Sequence, residues 1–492
     1  MATPSWRVTP LAVPCCHGSQ WPVEKGQQMA GTETETGDAA SNAIRRTRFG
    51  WYAYGWASHT FEATVIAVFI SRYLPSVAAN AVGENGRLYV LGIPIAPGSL
   101  FTYVISLCSF SLFVLMPLVG AIADRTGRKR EMLLGFGYIG AAACAAMWFI
   151  AGSNWKLGSI LLIVAYLAYT AAKVVYNSIL PEIAAPDERD RVSSIGWAAG
   201  YVGGGLLLLL NFVASFFIAD QALLARLSLS SAGIWWAAFA LVPLALLRRL
   251  PKTRPVPGSE SGPLLTAGFR ELADTFRGLR RYRLTLLFLV AYLIYYDGVS
   301  TVVTLAADYG EKELKLDDNT LLTAILIVQF TAFGGALLLG RFAEWWGAKR
   351  VISVSLLVWI GVVVAAYFLQ AGSVVQFYTL AMVLSIVMGG TQALSRSLFS
   401  SMIPAGKEAE YFSLYEISSS GTSALGPLVF GLTLQNTGSY RAAIFSLVVF
   451  FVVGLVLLLR VNVRRAVVEA GNVLPATLRG SSEVGKPPKI GH

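Results

Sequence analysis

The sequence predicts an all-α membrane protein of twelve transmembrane helices in two six-helix halves, and three observations carry that prediction. Of 492 residues, 55% are hydrophobic and only 14% are charged, with a mean hydropathy of +0.60. A soluble globular chain averages about 25% charged residues, so this chain has too little polar surface to cover a water-soluble body of its size. Apolar runs of roughly 20 residues, the length that crosses a bilayer core, recur along it. Finally, Gly120, Asp124, Gly127, Lys129 and Arg130 return 220 positions later as Gly340, Glu344, Gly347, Lys349 and Arg350. Each set follows the second apolar run of its half, as expected of two internal repeats whose shared interface forms a transport site.

The apolar runs predict spans at 50–75, 99–123, 131–151, 157–180, 193–219 and 231–248, then 284–308, 320–340, 351–370, 374–399, 411–436 and 441–460. They divide the chain into a disordered N-terminal tail (1–47), a first half (48–250), a linker (251–283), a second half (284–461) and a disordered C-terminal tail (462–492). Pro251, Pro255, Pro257 and Pro263 read the linker as a flexible connector, with residues 270–281 as an amphipathic helix on the membrane surface. Residues 1–40 lack the basic-then-apolar pattern of a signal peptide. Glu24-Lys25-Gly26 requires purine-rich codons just before Met29. In a bacterial source translation is therefore expected to start at Met29, leaving 1–28 untranslated; an ordinary tail is the alternative.

Charge sets the expected orientation. The links 2–3, 4–5, 6–7, 8–9 and 10–11 hold 19 Lys and Arg, counting Arg248 at the end of the sixth span, and the alternate links hold 7, counting Arg72 and Arg441 at the edges of the first and last spans. The positive-inside bias places the richer set and both termini in the cytoplasm; the membrane expected to hold the chain is the cell (inner) membrane in a bacterium and the vacuolar membrane in a fungus. The net charge of +11 therefore reports topology, and a nucleic-acid partner is not expected. Cys15, Cys16, Cys108 and Cys144 make no disulfide framework or metal motif. No nucleophile–base pair or metal-ligand cluster argues for an enzyme, no Walker motif for ATP drive, and no filter loop for a channel. No cofactor is expected.

Ionisable residues inside a bilayer are costly and face protein or a water-filled cavity. Here they are Glu62, Lys173, Asp297, Arg396 and Glu416. The first four fall on helices 1, 4, 7 and 10, the first helix of each three-helix unit. An ionised carboxylate at mid-span costs roughly 2.5–3.5 kcal/mol, so Glu62 and Asp297 are the candidate proton-coupling and solute-binding groups, with Lys173 beside them. Pairing of Glu62 with Lys173 would make Glu62 structural and favour Asp297. Trp56 and His59 share helical spacing with Glu62, while Asn177 and Gln392 add amides on helices 4 and 10. Packing is the competing role for the aromatic residues, and a structural hydrogen bond for His59. Arg396 and Glu416, near the expected cytoplasmic end, are assigned to a structural or gate ion pair rather than to solute contact.

The run Gly120-Ala-Ile-Ala-Asp124-Arg125-Thr-Gly127-Arg128-Lys129-Arg130 resembles the motif between helices 2 and 3 of the major facilitator superfamily. Its glycines allow a tight turn and close helix approach, its carboxylate can accept from a helix N-terminus, and its arginines can pair with acids across the seam. The resemblance implies the major facilitator fold and a latch on one state of an alternating-access cycle, made by Gly120, Asp124, Arg125, Gly127 and Arg128. A topology signal alone is the alternative. Further segments narrow the resemblance: Tyr176-Asn-Ser-Ile-Leu-Pro-Glu182, Arg191-Val-Ser-Ser-Ile-Gly-Trp-Ala-Ala-Gly200, Tyr295-Tyr-Asp-Gly-Val299, Gly389-Gly-Thr-Gln-Ala-Leu-Ser-Arg-Ser397, and Glu410-Tyr-Phe-Ser-Leu-Tyr-Glu416 with Gly426-Pro427. Over 48–460 the chain resembles the unknown major facilitator family of bacteria, which is related to fungal vacuolar amino-acid effluxers of autophagy. That family often carries Tyr-Asp-Trp-Ala-Asn in helix 1, where this chain has Tyr54-Gly55-Trp56-Ala57-Ser58; Glu62 then stands as the replacement acid.

These readings predict a monomeric secondary active transporter in a lipid bilayer, moving a small polar solute with protons. An amino acid or similar metabolite is the class the resemblance implies. A non-transporting sensor or assembly partner on the same fold is the alternative.

Overall fold

The computed structural model describes residues 24–83, 86–90, 92–249, 281–421 and 425–479. Eleven helices among these residues are long and apolar enough to cross a bilayer. We label them α1 (Ser41–Val82), α2 (Pro97–Thr126), α3 (Lys129–Phe149), α4 (Trp155–Ile183), α5 (Arg189–Ser215), α6 (Gln221–Leu246), α7 (Arg283–Lys312), α8 (Asp318–Trp346), α9 (Ala348–Tyr367), α10 (Val374–Ser401) and α12 (Tyr440–Arg460). The intervening α11 (408–437) completes the twelve. It comprises Glu408–Glu416, a π-helical stretch Ile417–Gly421, and Leu425–Thr437.

Helix is the conformation these runs must take, because lipid offers nothing to pair with an open backbone N–H or C=O. Each helix turns large apolar side chains outward, such as Leu107, Phe110 and Val114 on α2 or Val354 and Leu357 on α9. Small residues face inward and let helices close on one another. At Gly203 of α5, a Cβ would lie 2.3 Å from the Trp56 carbonyl oxygen of α1. Two buried clusters built around Phe61, Leu74, Cys144 and Trp236, and around Trp51, Val175 and Ile179, fill the first half. A larger one around Phe288, Trp359, Phe399 and Phe451 fills the second.

Three features depart from expectation. Helix α6 starts about ten residues early, at Gln221, because Asp220 accepts from the N–H groups of Ala222 and Leu223. Arg226, expected in a link, is satisfied inside the helix: it donates to the Trp148 carbonyl at 2.7 Å and stacks on that indole. The link after α1 folds as a hairpin of β1 (Leu88–Val90) and β2 (Ile93–Ile95), with Leu88 opposite Ile95. Both of those side chains join the first half's core.

The tails also need correcting. Helical backbone already begins at Glu24. Residues 462–479, expected to be disordered, are folded: α13 (Val463–Glu469) buries Val463, Ala466 and Val467, and the Asn472 side chain donates to the carbonyls of Ser401 and Ile403. Residues 1–23, the 250–280 stretch that contains most of the predicted linker and surface helix, and 480–492 lie outside the described residues.

Candidate functional site

The turn after α2 clasps the start of α11. Gly120 is indispensable to that contact, since a Cβ there would sit 2.5 Å from the Ala409 carbonyl oxygen. With the backbones this close, the Asp124 carboxylate accepts from the Glu410 N–H at 2.9 Å, a side-chain cap supplied by the opposite half. Gly127 takes φ +60° to end α2. Lys129, only 3% exposed, then places its ammonium 3.2 Å from Asp124, 2.6 Å from Glu182 and 3.2 Å from Glu408. The acid-pairing role expected of the motif's arginines therefore falls to Lys129. Arg130 stays within its own half, donating to the Leu244 carbonyl. Arg128 is exposed and Arg125 half-buried. Glu182 and Glu408 were not among the expected site residues.

The seam continues along α5 and α10. Arg189 donates to the Ser400 carbonyl at 3.1 Å, Ser193 to that of Ala393 at 2.6 Å, and Ser397 to Asp190. Arg396 donates to the hydroxyl and carbonyl oxygens of Ser193 at 2.9 and 2.8 Å. Gly340 of α8 lets Ser194 of α5 approach, in the same way that Gly120 admits Ala409. All these bonds join residues of the two halves at the end of the bundle that carries the motif, and that end is closed.

Deeper in the bundle one polar chain crosses the seam. His59 Nδ1 lies 3.7 Å from Glu62 Oε2. The Lys173 ammonium stands between Glu62 at 3.2 Å and Glu416 at 3.4 Å. Asn177 donates to Glu416 at 2.6 Å and accepts from Arg396 at 3.1 Å. The expected Arg396–Glu416 gate pair is thus not direct; an amide separates the charges, and Glu416 takes Lys173 as its ion partner. The chain alternates two anions with two cations. Rings enclose it: Arg396 lies over Trp51, Tyr176 and Trp197, and Lys173 over Tyr169 and Trp197. Glu62 keeps 36% of its side chain exposed, whereas Glu416 has none. A cavity of about 40 Å³ between these residues has room for a few waters.

Both central carboxylates sit beside π-helical backbone. Glu62 is the second residue of the stretch Phe61–Phe69 of α1, and Glu416 directly precedes Ile417–Gly421 of α11. Such bulges shift side-chain direction and recur at functional sites, yet nothing in the residue spacing foretells them.

The remaining candidates divide. His59 packs edge-on against Trp197 and Tyr201, and Gln392 accepts from Tyr201 at 2.5 Å; both border the chain. Trp56 is turned away, against Trp235 and Phe239 of α6. Asp297 is also apart. It is 1% exposed, accepts from the Gly426 N–H at 2.6 Å, and has no cation within ion-pair distance among the described residues. Among the described residues its second oxygen and the Thr301 hydroxyl have no hydrogen-bond partner.

Comparison with known proteins gives the chain its relatives. The family model described as "Vacuole effluxer Atg22 like" matches residues 43–471. The chain is 29% identical to an uncharacterized MFS-type transporter, YxiO, of Bacillus subtilis, over 83% of this chain and 93% of that one. It is 27% identical to autophagy-related protein 22 of Eremothecium gossypii, over 89% and 95%. Its fold is similar to the major facilitator proton:xylose symporter XylE (TM-score 0.61, 13% identity, 84% of this chain and 94% of that one). It is also similar to the human organic anion transporter MFSD10 (TM-score 0.57, 16% identity, 84% and 99%).

Proposed function

Because the chain belongs to the Atg22-like vacuole effluxer family, we propose that it is a secondary active transporter for a small polar solute, an amino acid or similar metabolite, working by alternating access with proton linkage. The observation that carries this reading is Lys173, held between Glu62 of α1 and Glu416 of α11 on opposite sides of the seam. A zwitterion offers an ammonium to Glu62 and a carboxylate to Lys173, and its entry replaces one internal ion pair by two with the solute. The cavity of about 40 Å³ is too small for such a solute, so binding requires the halves to part.

Asp297 is the proposed proton carrier. It is buried, with no cation among the described residues to offset its charge, so taking up a proton removes the cost of an anion in a low-dielectric site. The Gly426 N–H and the Thr301 hydroxyl can accompany either form. The positive-inside bias supports placing the motif end, and both termini, on the cytoplasmic side; the structure then represents the state closed to the cytoplasm. Labelling of Glu260→Cys by an impermeant reagent from outside intact cells would reverse that orientation.

The decisive experiment is uptake of an amino-acid panel into proteoliposomes, with and without an imposed pH gradient, for wild type, Glu62→Gln and Asp297→Asn. Proton linkage at these carboxylates requires at least one variant to lose gradient-driven accumulation while keeping solute exchange. If both respond to the gradient like wild type, this mechanism is wrong.

A further inference from the structure

The second copy of the repeated motif folds differently from the first, and the difference leaves positive charge unmatched. In the first copy the Lys129 ammonium is surrounded by three carboxylates. In the second, Glu344 stands where Asp124 does but has turned to Arg341 at 2.5 Å. Lys349, the counterpart of Lys129, donates to the carbonyls of Leu459 and Val461 at 2.9 and 2.8 Å. Those are uncharged acceptors at the end of α12.

Around this second copy lies a cavity of about 500 Å³, within the range of small-molecule sites. It is lined by Arg189 and Asp190 of the first half and by Lys349, Arg350, Arg460 and Arg464 of the second, with the folded C-terminal segment on one side. Among the described residues Asp190 is its only acid, and it accepts from Ser397. Arg189 is engaged with the Ala184 and Ser400 carbonyls. Among the described residues neither Arg350 nor Arg460 has an acid within ion-pair distance. Arg350 and Arg460 in a concave site whose one described acid is already engaged attract an anion, and guanidinium forks suit the planar, multidentate acceptors of phosphate.

We propose that this cavity binds a phosphate-bearing anion, held by Arg350 and Arg460, which supplies to the second motif copy the negative charge that Asp124, Glu182 and Glu408 supply to the first. The same chemistry comes from a soluble phosphate compound or from the headgroup of an anionic lipid. Basic pockets between helices at a membrane surface favour either.

Thermal unfolding of the full chain in neutral detergent, followed by tryptophan fluorescence, tests the site. The probes are inorganic phosphate against chloride at matched ionic strength, and phosphatidylglycerol against phosphatidylcholine in mixed micelles. A saturable rise in Tm with a phosphate-bearing anion is expected. Arg350→Gln combined with Arg460→Gln should weaken the apparent affinity at least tenfold, while Arg465→Gln, on α13 but outside the cavity, should leave it unchanged. A response to inorganic phosphate assigns a soluble ligand, and a response to phosphatidylglycerol alone assigns a lipid. If the double variant does not fold, each single variant is read by 31P line broadening of inorganic phosphate or of the lipid headgroup. The inference is overturned if neither probe raises Tm in wild type, or if the arginine variants keep the wild-type affinity.

Discussion

Replacing Lys129 by Met should drive the motif end open. The ammonium lies 3.2 Å from Asp124 and 3.2 Å from Glu408, so those two oxygens are at most twice that distance, about 6.4 Å, apart. Without the cation, two unit charges at that separation repel by about 2.6 kcal/mol at an effective dielectric of about 20. Asp124 belongs to the first half and Glu408 to the second, so separating the halves relieves the repulsion. The full cost therefore falls on the closed state and shifts the balance toward opening by about 80-fold, at 1.36 kcal/mol per decade. The assay is maleimide labelling of Ser400→Cys in a background lacking the four native cysteines. Ser400 is 1% exposed and its carbonyl accepts from Arg189 across the seam, so the new thiol reacts only when that end opens. Lys129→Met should accelerate labelling by tens of fold at equal folded yield. A rate within threefold of the Lys129 parent would mean that the lysine neutralises its own half alone, and the seam argument would fail.

The glycines of both motif copies should reject a side chain. A Cβ at Gly120 would lie 2.5 Å from the Ala409 carbonyl oxygen, and one at Gly340 would lie 2.4 Å from the Ser194 hydroxyl oxygen and 2.6 Å from its Cβ, which no rotation moves. Gly120→Ala and Gly340→Ala should therefore each raise Ser400→Cys labelling above the glycine parent, and labelling at the parent rate in either would contradict this. Asn472→Ala leaves the Ser401 and Ile403 carbonyls without a donor; it should lower stability by about 1–3 kcal/mol and expose residues 470–479 to limited proteolysis, which intact resistance would refute. In the link between α4 and α5, the hydrogen bond from Arg48 holds the Glu188 carboxyl below its usual range. Its folded-state affinity for protons is thus lower than its unfolded one, so the pair stabilises above the unfolded pKa and loses that contribution as pH falls through the depressed one. Half-exposed as it is, Glu188→Gln should cost no more than about 1 kcal/mol at neutral pH. The difference from wild type should vanish in acid, and a difference that persisted there would assign the effect to packing.

Length and polarity determined the scaffold. Runs of apolar residues have one solution in lipid, so twelve helices, the order of their links, and the repeat of the Gly120–Arg130 motif were all legible before any coordinate. So was the selection of Glu62, Lys173, Asn177 and Arg396, because a charge or amide placed in mid-span must face a protein interior. What the tertiary structure alone decided is which of these meet. Lys173 joins Glu62 to Glu416 across residues hundreds of positions apart, and the π-helical stretches that set those carboxylates follow no spacing rule. Asp297 is a single helical step from Tyr296, yet about 100° of rotation points it at Gly426 instead of at the central chain. Glu182 and Glu408, the partners of Lys129, looked like ordinary link charges, since partners on separate chain segments leave no periodic trace. The same holds for residues 462–479: their Asn, Arg and Pro read as a solvated tail until the Ser401 and Ile403 carbonyls and Asp187 proved to be waiting as partners. Composition chooses the solvent and the period chooses the helix, but contacts between distant segments are settled only when the halves close on each other.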